Sequence, residues 1–412
     1  MQKNLKNLYK SSLYRNAFFL VINSTIMSGL GFFFWTLATR LFNSYEVGLA
    51  LTLITSMTLI GSISLFGFDD ALIRYLGTSK VKNLKINSIF SICALISFII
   101  SVVFVIVAIG FIPQISFISK NLLLALSFIA SCVVWTQFIL SDSLFVALRD
   151  TKYVFIKNSL FSFIKLMLPF LLLSLGFLGI FYSWTAAALV SIMILLLILP
   201  KNFNYKPKVD INLNVLKEMF RFSVSNYIMK VFISAPSLIL PLIITRMLSP
   251  EKTAYFYIAW MIADFIAVVP NSLALSLFAE GSSNQSSKVA IKRTLKISYI
   301  ILMIVIITIF LLGGFVLSLF GQEYFQNSLN LMLILSLAAI PLTLNTTYIT
   351  VSRLRKDTRK LIFIGIYHFV FFLSLSLLLI RTFDIFGIGI AWLTTNLLLS
   401  IYILLRREKW IY

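Results

Sequence analysis

Lys230, Asp264, Lys165, Asp142 and His368 are ionisable side chains embedded in long apolar runs of the sequence. A charge at the centre of a bilayer costs roughly 2.5 to 3.5 kcal/mol on insertion scales, so such groups face the interior of a helix bundle, where they pair, carry protons or hold a charged ligand. At about 1.5 Å of rise per residue, Lys230 stands about 12 Å and Asp264 about 20 Å from the nearer basic boundary, with Lys165 at about 10 and Asp142 at about 6 Å. Consecutive antiparallel spans usually touch, so Lys230 is expected to pair with Asp264, and Lys165 with Asp142. For the deeper pair the alternatives are a purely structural ion pair and a place on a pathway through the bundle. For Lys165 and Asp142, snorkelling to the interface stands beside pairing. His368 is the single histidine; it is either a hydrogen-bonded core residue or, with Asp264, an ion-coupling group.

Two other sets of residues carry polarity into the apolar runs. Asn23, Ser24 and Thr25 form a neutral polar stripe in the first run, and Asn23 joins the four charged residues as a pathway candidate. Arg40 and Arg246 stand at matched ends of two runs, each followed by an acid, Glu46 and Glu251; they either anchor to headgroups or pair with those acids as an outer gate. Catalytic fingerprints are missing: the chain has no G-x-S-x-G, Walker A, H-E-x-x-H, CxxC or dinucleotide-binding motif. Cys93 and Cys132 show no metal spacing and read as small apolar core residues. No metal or cofactor is expected, and no enzymatic activity.

The elements that must position these residues are membrane helices. Of 412 residues 60% are hydrophobic and 12% charged, and mean hydropathy is +0.99, against about 45 to 50% apolar and 25% charged in soluble domains. A water-soluble enzyme is excluded. Apolar runs long enough to cross a hydrocarbon core of about 30 Å recur throughout. They predict twelve spans, at 16–39, 47–66, 86–110, 121–146, 158–177, 183–200, 222–245, 254–277, 296–317, 329–351, 361–380 and 387–405. The formal net charge of +21 would point to nucleic acid in a soluble protein; here the basic residues line one face of the membrane. Of the 35 Lys and Arg, only Arg40, Lys120, Arg246, Lys252 and Arg381 fall on the opposite face, with Lys165 and Lys230 inside spans. The positive-inside rule therefore places both termini in the cytoplasm, and the basic loops suit anionic lipid headgroups rather than nucleic acid.

Self-comparison at an offset of 206 aligns two halves, 1–206 and 207–412. Tyr14-Arg15 falls on Phe220-Arg221, and Thr39-Arg40-Leu41 on Thr245-Arg246-Met247; two residues further in offset, GIFYSW from Gly179 matches GIGIAW from Gly387. Six helices per half make the repeat parallel, with a pathway expected between two pseudo-symmetric six-helix bundles. The connecting segment 201–221 places Leu213, Leu216, Met219 and Phe220 on one face beside Lys217, either as a surface-lying helix or as a plain linker; residues 5–14 read the same way. Ser28-Gly29-Leu30-Gly31 in the first span, and Pro236 and Pro241 in the seventh, are soft points that serve bending or set a static kink.

The stretch GLGFFFWTLATRLFNSYEVGLA (29–50), followed by Gly67-Phe68-Asp69-Asp70-Ala71-Leu72-Ile73-Arg74-Tyr75-Leu76, resembles the opening of the Wzx-type polysaccharide-unit flippases of the multidrug/oligosaccharidyl-lipid/polysaccharide exporter superfamily. The resemblance implies a MATE-like all-α fold and a plasma-membrane flippase. Its substrate would be a polyprenyl-pyrophosphate-linked glycan, carried to the outer leaflet by alternating access, with a glycan polymerase or glycosyltransferases as partners. An anionic pyrophosphate needs cationic groups, and Lys230 and Lys165 are the buried ones, Asp264 neutralising Lys230 in the empty site. A cation-coupled multidrug exporter of the same superfamily and a membrane-embedded glycan-assembly enzyme are the alternatives.

Overall fold

The computed structural model describes residues 12–77, 79, 81–203, 205–283, 288–355 and 357–405. Most of the N-terminal segment 5–14 and the terminal basic residues Lys3, Lys6, Lys10, Arg406, Arg407 and Lys409 lie outside the described residues. Among the described residues the regular structure is helical. In chain order the helices are α1 (Ser12–Leu41), α2 (Ser44–Ser64), α3 (Phe68–Leu76), α4 (Lys82–Phe111), α5 (Leu122–Ala147), α6 (Lys152–Leu171), α7 (Phe177–Phe203), α8 (Leu213–Met247), α9 (Pro250–Ser283), α10 (Lys288–Ser318), α11 (Gln322–Leu354) and α12 (Thr358–Leu405).

Ten helices are long and apolar enough to cross a membrane, and each predicted span finds its place. Two further expected spans lie within longer helices. In α8 the apolar stretch Ser234–Met247 falls inside the expected span 222–245. α12 carries spans eleven and twelve, separated at Asp384, whose φ of 57° and ψ of −149° break the helix. The chain is therefore an all-α, polytopic membrane protein with twelve membrane-crossing segments. It divides into two compact units, Met1–Val231 and Phe232–Tyr412, the division falling inside α8.

In the first unit α1 runs beside α6, α6 beside α7, and α5 packs on α2 and α4. The α1–α6 register is fixed by pairs 135 residues apart: Thr151 Oγ1 donates to the Asn16 carbonyl at 2.9 Å and Ser162 Oγ to Met27 Sδ at 2.9 Å. In the second unit α11 is central, packing on α9, α10 and α12.

The halves share a detail at the connection between their last two spans. A Cβ on Gly179 would sit 2.2 Å from the Leu172 carbonyl, and one on Gly387 2.4 Å from the Leu379 carbonyl. Only glycine lets backbone approach backbone so closely in the GIFYSW and GIGIAW segments.

The segment between the halves is neither a free linker nor a separate surface helix. Residues 205–212 run extended and are pinned to one face of α4: Tyr205 Oη donates to Asn87 Oδ1 at 2.6 Å, Asp210 N to Ser91 Oγ at 3.1 Å and Asn212 N to Ser88 Oγ at 3.0 Å. Burial drives the Tyr205 phenol up to about 12, so it stays a donor. Asn212 then caps α8 through its side chain, and Leu216 and Met219 enter the core while Leu213 stays exposed.

Candidate functional site

A sharp reversal after α2 builds the first cluster. Phe66 and Gly67 both take left-handed backbone, φ 48° and 78°. Glycine adopts that conformation freely, whereas Phe66 is held in it by its ring, stacked on Phe220 (5.8 Å) and Tyr227 (5.1 Å) of α8. Tyr227 Oη donates to the Ile63 carbonyl at 2.8 Å. The reversal delivers Asp69 and Asp70 to the first turn of α3, where the helix dipole favours negative charge. There the Lys230 ammonium donates to the Asp69 carboxylate and lies 3.9 Å from Asp70. Asp69 is buried while the Lys230 side chain is 54% exposed, so an anchored carboxylate presents an accessible cation. Burial first, then the adjacent Asp69, push the Asp70 carboxyl above its ordinary range.

This corrects the expected Lys230–Asp264 pair: the lysine's partner is 161 residues away in sequence, on an element too short and too polar to be a span. Asp264 instead accepts a hydrogen bond from the Trp260 side chain one turn earlier on α9. Trp260 lies 5.2 Å from Trp392, which lies 5.8 Å from His368. Trp260, Asp264 and Trp392 line a cavity of about 20 Å³ closed by Leu335, Ala339 and Leu342.

The second cluster lies between α5 and α6. Phe138, Ser141 and Asp142 share one face of α5, and Lys157, Asn158, Phe161, Ser162 and Lys165 share the buried face of α6. Lys157 Nζ donates to the Phe138 carbonyl (2.6 Å) and Ser141 Oγ (3.0 Å) and pairs with Asp142 Oδ1 at 2.8 Å. Asn158 adds a bond to the same carboxylate at 3.3 Å. The expected Lys165–Asp142 pair is thus corrected as well: Asp142 belongs to Lys157, which the sequence reading left on the basic flank before residue 158. α6 begins at Lys152, earlier than expected, and carries Lys157 fully inside. The spacing of Lys157 and Lys165, eight residues and so one helical face, was the sequence feature that could have revealed it.

Lys165 occupies an aromatic box. Its ammonium lies 4.9 Å from the Phe34 ring centre, 4.9 Å from Phe161 and 4.4 Å from Trp184, within cation–π range. It is 3% exposed, and no carboxylate lies within ion-pair distance among the described residues. Asn23, on α1, falls level with Asn158 in the α1–α6 register. Asn23 Oδ1, Asn158 Oδ1, Trp135 Nε1 and Trp184 Nε1 are buried polar atoms with no hydrogen-bond partner among the described residues. The interior of the first unit therefore presents one cation, two indole donors and amide oxygens inside an aromatic wall.

The arginines stand at helix ends as expected. Arg40 lies in the last turn of α1, and the Glu46 carboxylate accepts the Asn43 N–H in the capping box of α2. Arg246 lies in the last turn of α8 and lines a cavity of about 700 Å³ together with Arg381. In the second unit a fully buried amide pair escaped the sequence reading: Asn345 Nδ2 donates to Asn396 Oδ1 at 3.1 Å, and Ser400 Oγ to Asn345 Oδ1 at 2.8 Å. Neutral amides in apolar helices leave no charge or spacing to mark them.

The model of the family "Polysaccharide biosynthesis protein" matches residues 13–278. No curated protein matches the chain significantly. Among solved structures, the chain is similar to a multidrug resistance MATE family transporter of the MOP superfamily in its inward-facing conformation, at 16% identity and a TM-score of 0.70 over 93% of this chain and 94% of that one. An outward-facing MATE family transporter matches at 14% identity and a TM-score of 0.59, over 98% and 97%. A MOP superfamily transporter from Pyrococcus furiosus, described as having a binding pocket of reverse polarity, matches at 14% and 0.61 over the same shares. At such identities the likeness shows the fold.

Proposed function

Because this chain belongs to the polysaccharide biosynthesis protein family and is built on the fold of MOP superfamily transporters, we propose that it is a flippase that carries a polyprenyl-pyrophosphate-linked oligosaccharide from the cytoplasmic to the outer leaflet of the plasma membrane by alternating access. The observation that carries this reading is the Lys230–Asp69 pair: an accessible ammonium on a spanning helix, neutralised by a buried carboxylate. A pyrophosphate can share the exposed side of the Lys230 ammonium, which has three N–H donors, while Asp69 keeps its own bond to it, so that no buried charge is left bare when the lipid arrives or departs. Burial and the adjacent Asp69 raise the Asp70 carboxyl above its ordinary range, which eases its protonation beside an incoming anion.

Deeper in the first unit, Lys165 in its aromatic box offers a second cation, and Asn23 and the Trp184 indole offer hydrogen bonds that suit phosphate oxygens or sugar hydroxyls. Lys157 and Asp142 act together as a fixed, internally neutral scaffold for α6. Asp264 and His368, against the Trp260–Trp392 wall, are the ion-coupling candidates of the second unit. The cavity of about 20 Å³ beside Asp264 has room for one water or a small ion. The one-sided distribution of Lys and Arg supports cytoplasmic termini, on the side where the glycan would be assembled.

The test is deletion of the gene in its host, with extraction of polyprenol-linked glycans and treatment of intact cells with an impermeant glycosidase. Complete units that accumulate out of the enzyme's reach are expected. Units that are complete and exposed, or never finished, would end the flippase reading, and Lys230→Gln at normal protein level should reproduce the deletion.

A further inference from the structure

The two-arginine cavity of the second unit has no part in the reading above. Its volume, about 700 Å³, falls within the roughly 300 to 1,000 Å³ of ligand pockets. Arg246 and Ile243 of α8 face Ser374, Leu377, Leu378 and Arg381 of α12 across it. Two guanidiniums set on one cavity repel each other, and among the described residues that line it there is no acidic side chain. The acid nearest Arg381 in sequence is already committed: Asp384 pairs with Lys252 at 2.5 Å and accepts the Ile385 N–H at 2.7 Å. Such an arrangement favours an anion, and the planar fork of arginine fits phosphate oxygens.

The repeat separates the common arginine from the special one. At the offset of 206 to 208, Arg246 corresponds to Arg40, but Arg381 falls on Leu173–Leu175. The fold therefore uses one arginine at this helix end, and the second is an addition confined to the second unit. The cavity's apolar wall also continues outward, since Leu377 and Leu378 are 42% and 70% exposed on a membrane-spanning helix. A hydrocarbon chain in the bilayer can lie along them while its head enters the cavity, which a free anion in water would not require.

We propose that this cavity is a binding site for the pyrophosphate head of a prenyl lipid, with Arg246 and Arg381 holding phosphate oxygens and the chain lying along Leu377 and Leu378. The identity of that lipid rests on the flippase reading. On the topology given above the site lies at the outer face, where it would receive the carrier after translocation.

The full-length protein, in nanodiscs of phosphatidylcholine, is irradiated with a benzophenone-bearing farnesyl pyrophosphate and the adducts are mapped by mass spectrometry. Adducts within residues 374–381 are expected, about tenfold weaker in Arg381→Gln, weaker still in Arg246→Gln/Arg381→Gln, partly restored in Arg381→Lys and unchanged in Asn214→Ser. Unchanged adducts in the double variant, or adducts only elsewhere, overturn the proposal. Displacement by inorganic pyrophosphate alone would mark a free-anion site, and displacement by phosphatidylglycerol a bulk-lipid site; each overturns it too. If the site labels as expected while deletion cells still expose their glycan units, the site stands and the flippase reading fails.

Discussion

Lys230 and Asp69 make a pair whose two members bear different burdens, and substitution separates them. Breaking a fully buried pair costs about 3 to 5 kcal/mol, but with Lys230 54% exposed the loss in Asp69→Asn or Lys230→Gln should be nearer 1 kcal/mol. The double variant Lys230→Gln/Asp69→Asn should regain most of that stability, since neither charge is left alone. If the lysine serves only to hold α8 on α3, glycan display returns with stability; if it meets pyrophosphate, display stays lost in a protein that melts normally. Asp70 gives an independent check through pH. Burial and Asp69 raise its carboxyl above the ordinary value, so the folded state favours the protonated form, and the stability contributed by that proton is lost as pH rises through the raised value. Asp70→Asn is therefore expected to melt slightly higher than wild type at pH 7 in detergent, and the difference should vanish below about pH 4, where both proteins are neutral at this position. A lower melting temperature at pH 7 would show that the Asp70–Lys230 attraction at 3.9 Å outweighs burial and repulsion.

Apolar length made the spanning helices legible in the sequence, whereas the pairing of their buried charges was not. Apolar length marked all twelve spans in the sequence, including 222–245 within the 35 residues of α8, although Lys230 interrupts that run. The division of α12 falls between the expected spans 361–380 and 387–405, where Arg381, Thr382 and Asp384 interrupt the apolar run and the backbone of Asp384 makes the break. The repeat in sequence, weak as identity, did mark equivalent geometry: Gly179 and Gly387 meet the carbonyls of Leu172 and Leu379 in the same way. Alanine at either position would drive a Cβ to about 2.2 or 2.4 Å from backbone oxygen, which no side-chain rotation relieves. Each variant should lose about 1 to 3 kcal/mol, read as a lower melting temperature, whereas Gly29→Ala and Gly31→Ala, with nothing within 4 Å of the added atom, should not. The charged pairs were misassigned for a different reason. The expected span began at 158 while α6 begins at Lys152, so Lys157 was counted outside the membrane and Lys165, two turns further along the same face, took its place beside Asp142. Asp69 went unused because it lies on a helix of nine residues between spans, outside the register by which depth was counted.

The direction of transport depends on which face of the membrane holds the termini, and that follows from where the lysines and arginines fall along the whole chain. The basic connections, among them the extended strap 205–212 that ties the second half to α4, are assigned to the cytoplasm. On the proposed topology the Lys230–Asp69 cluster, at the end of α2, would lie toward the cytoplasmic side, where the flippase reading has the glycan assembled. The protein suits a direct test, because Cys93 and Cys132 are both buried and leave a quiet background for thiol labelling. Val209, 88% exposed in the strap, and Lys120, exposed just before α5, are predicted to stand on opposite faces. Lys120→Cys should react with an impermeant maleimide in intact cells, and Val209→Cys only after the membrane is opened. The reverse pattern would place the Lys230 cluster outside, facing a leaflet that holds no newly made glycan, and the direction proposed here would have to be abandoned even if every intramolecular contact stood.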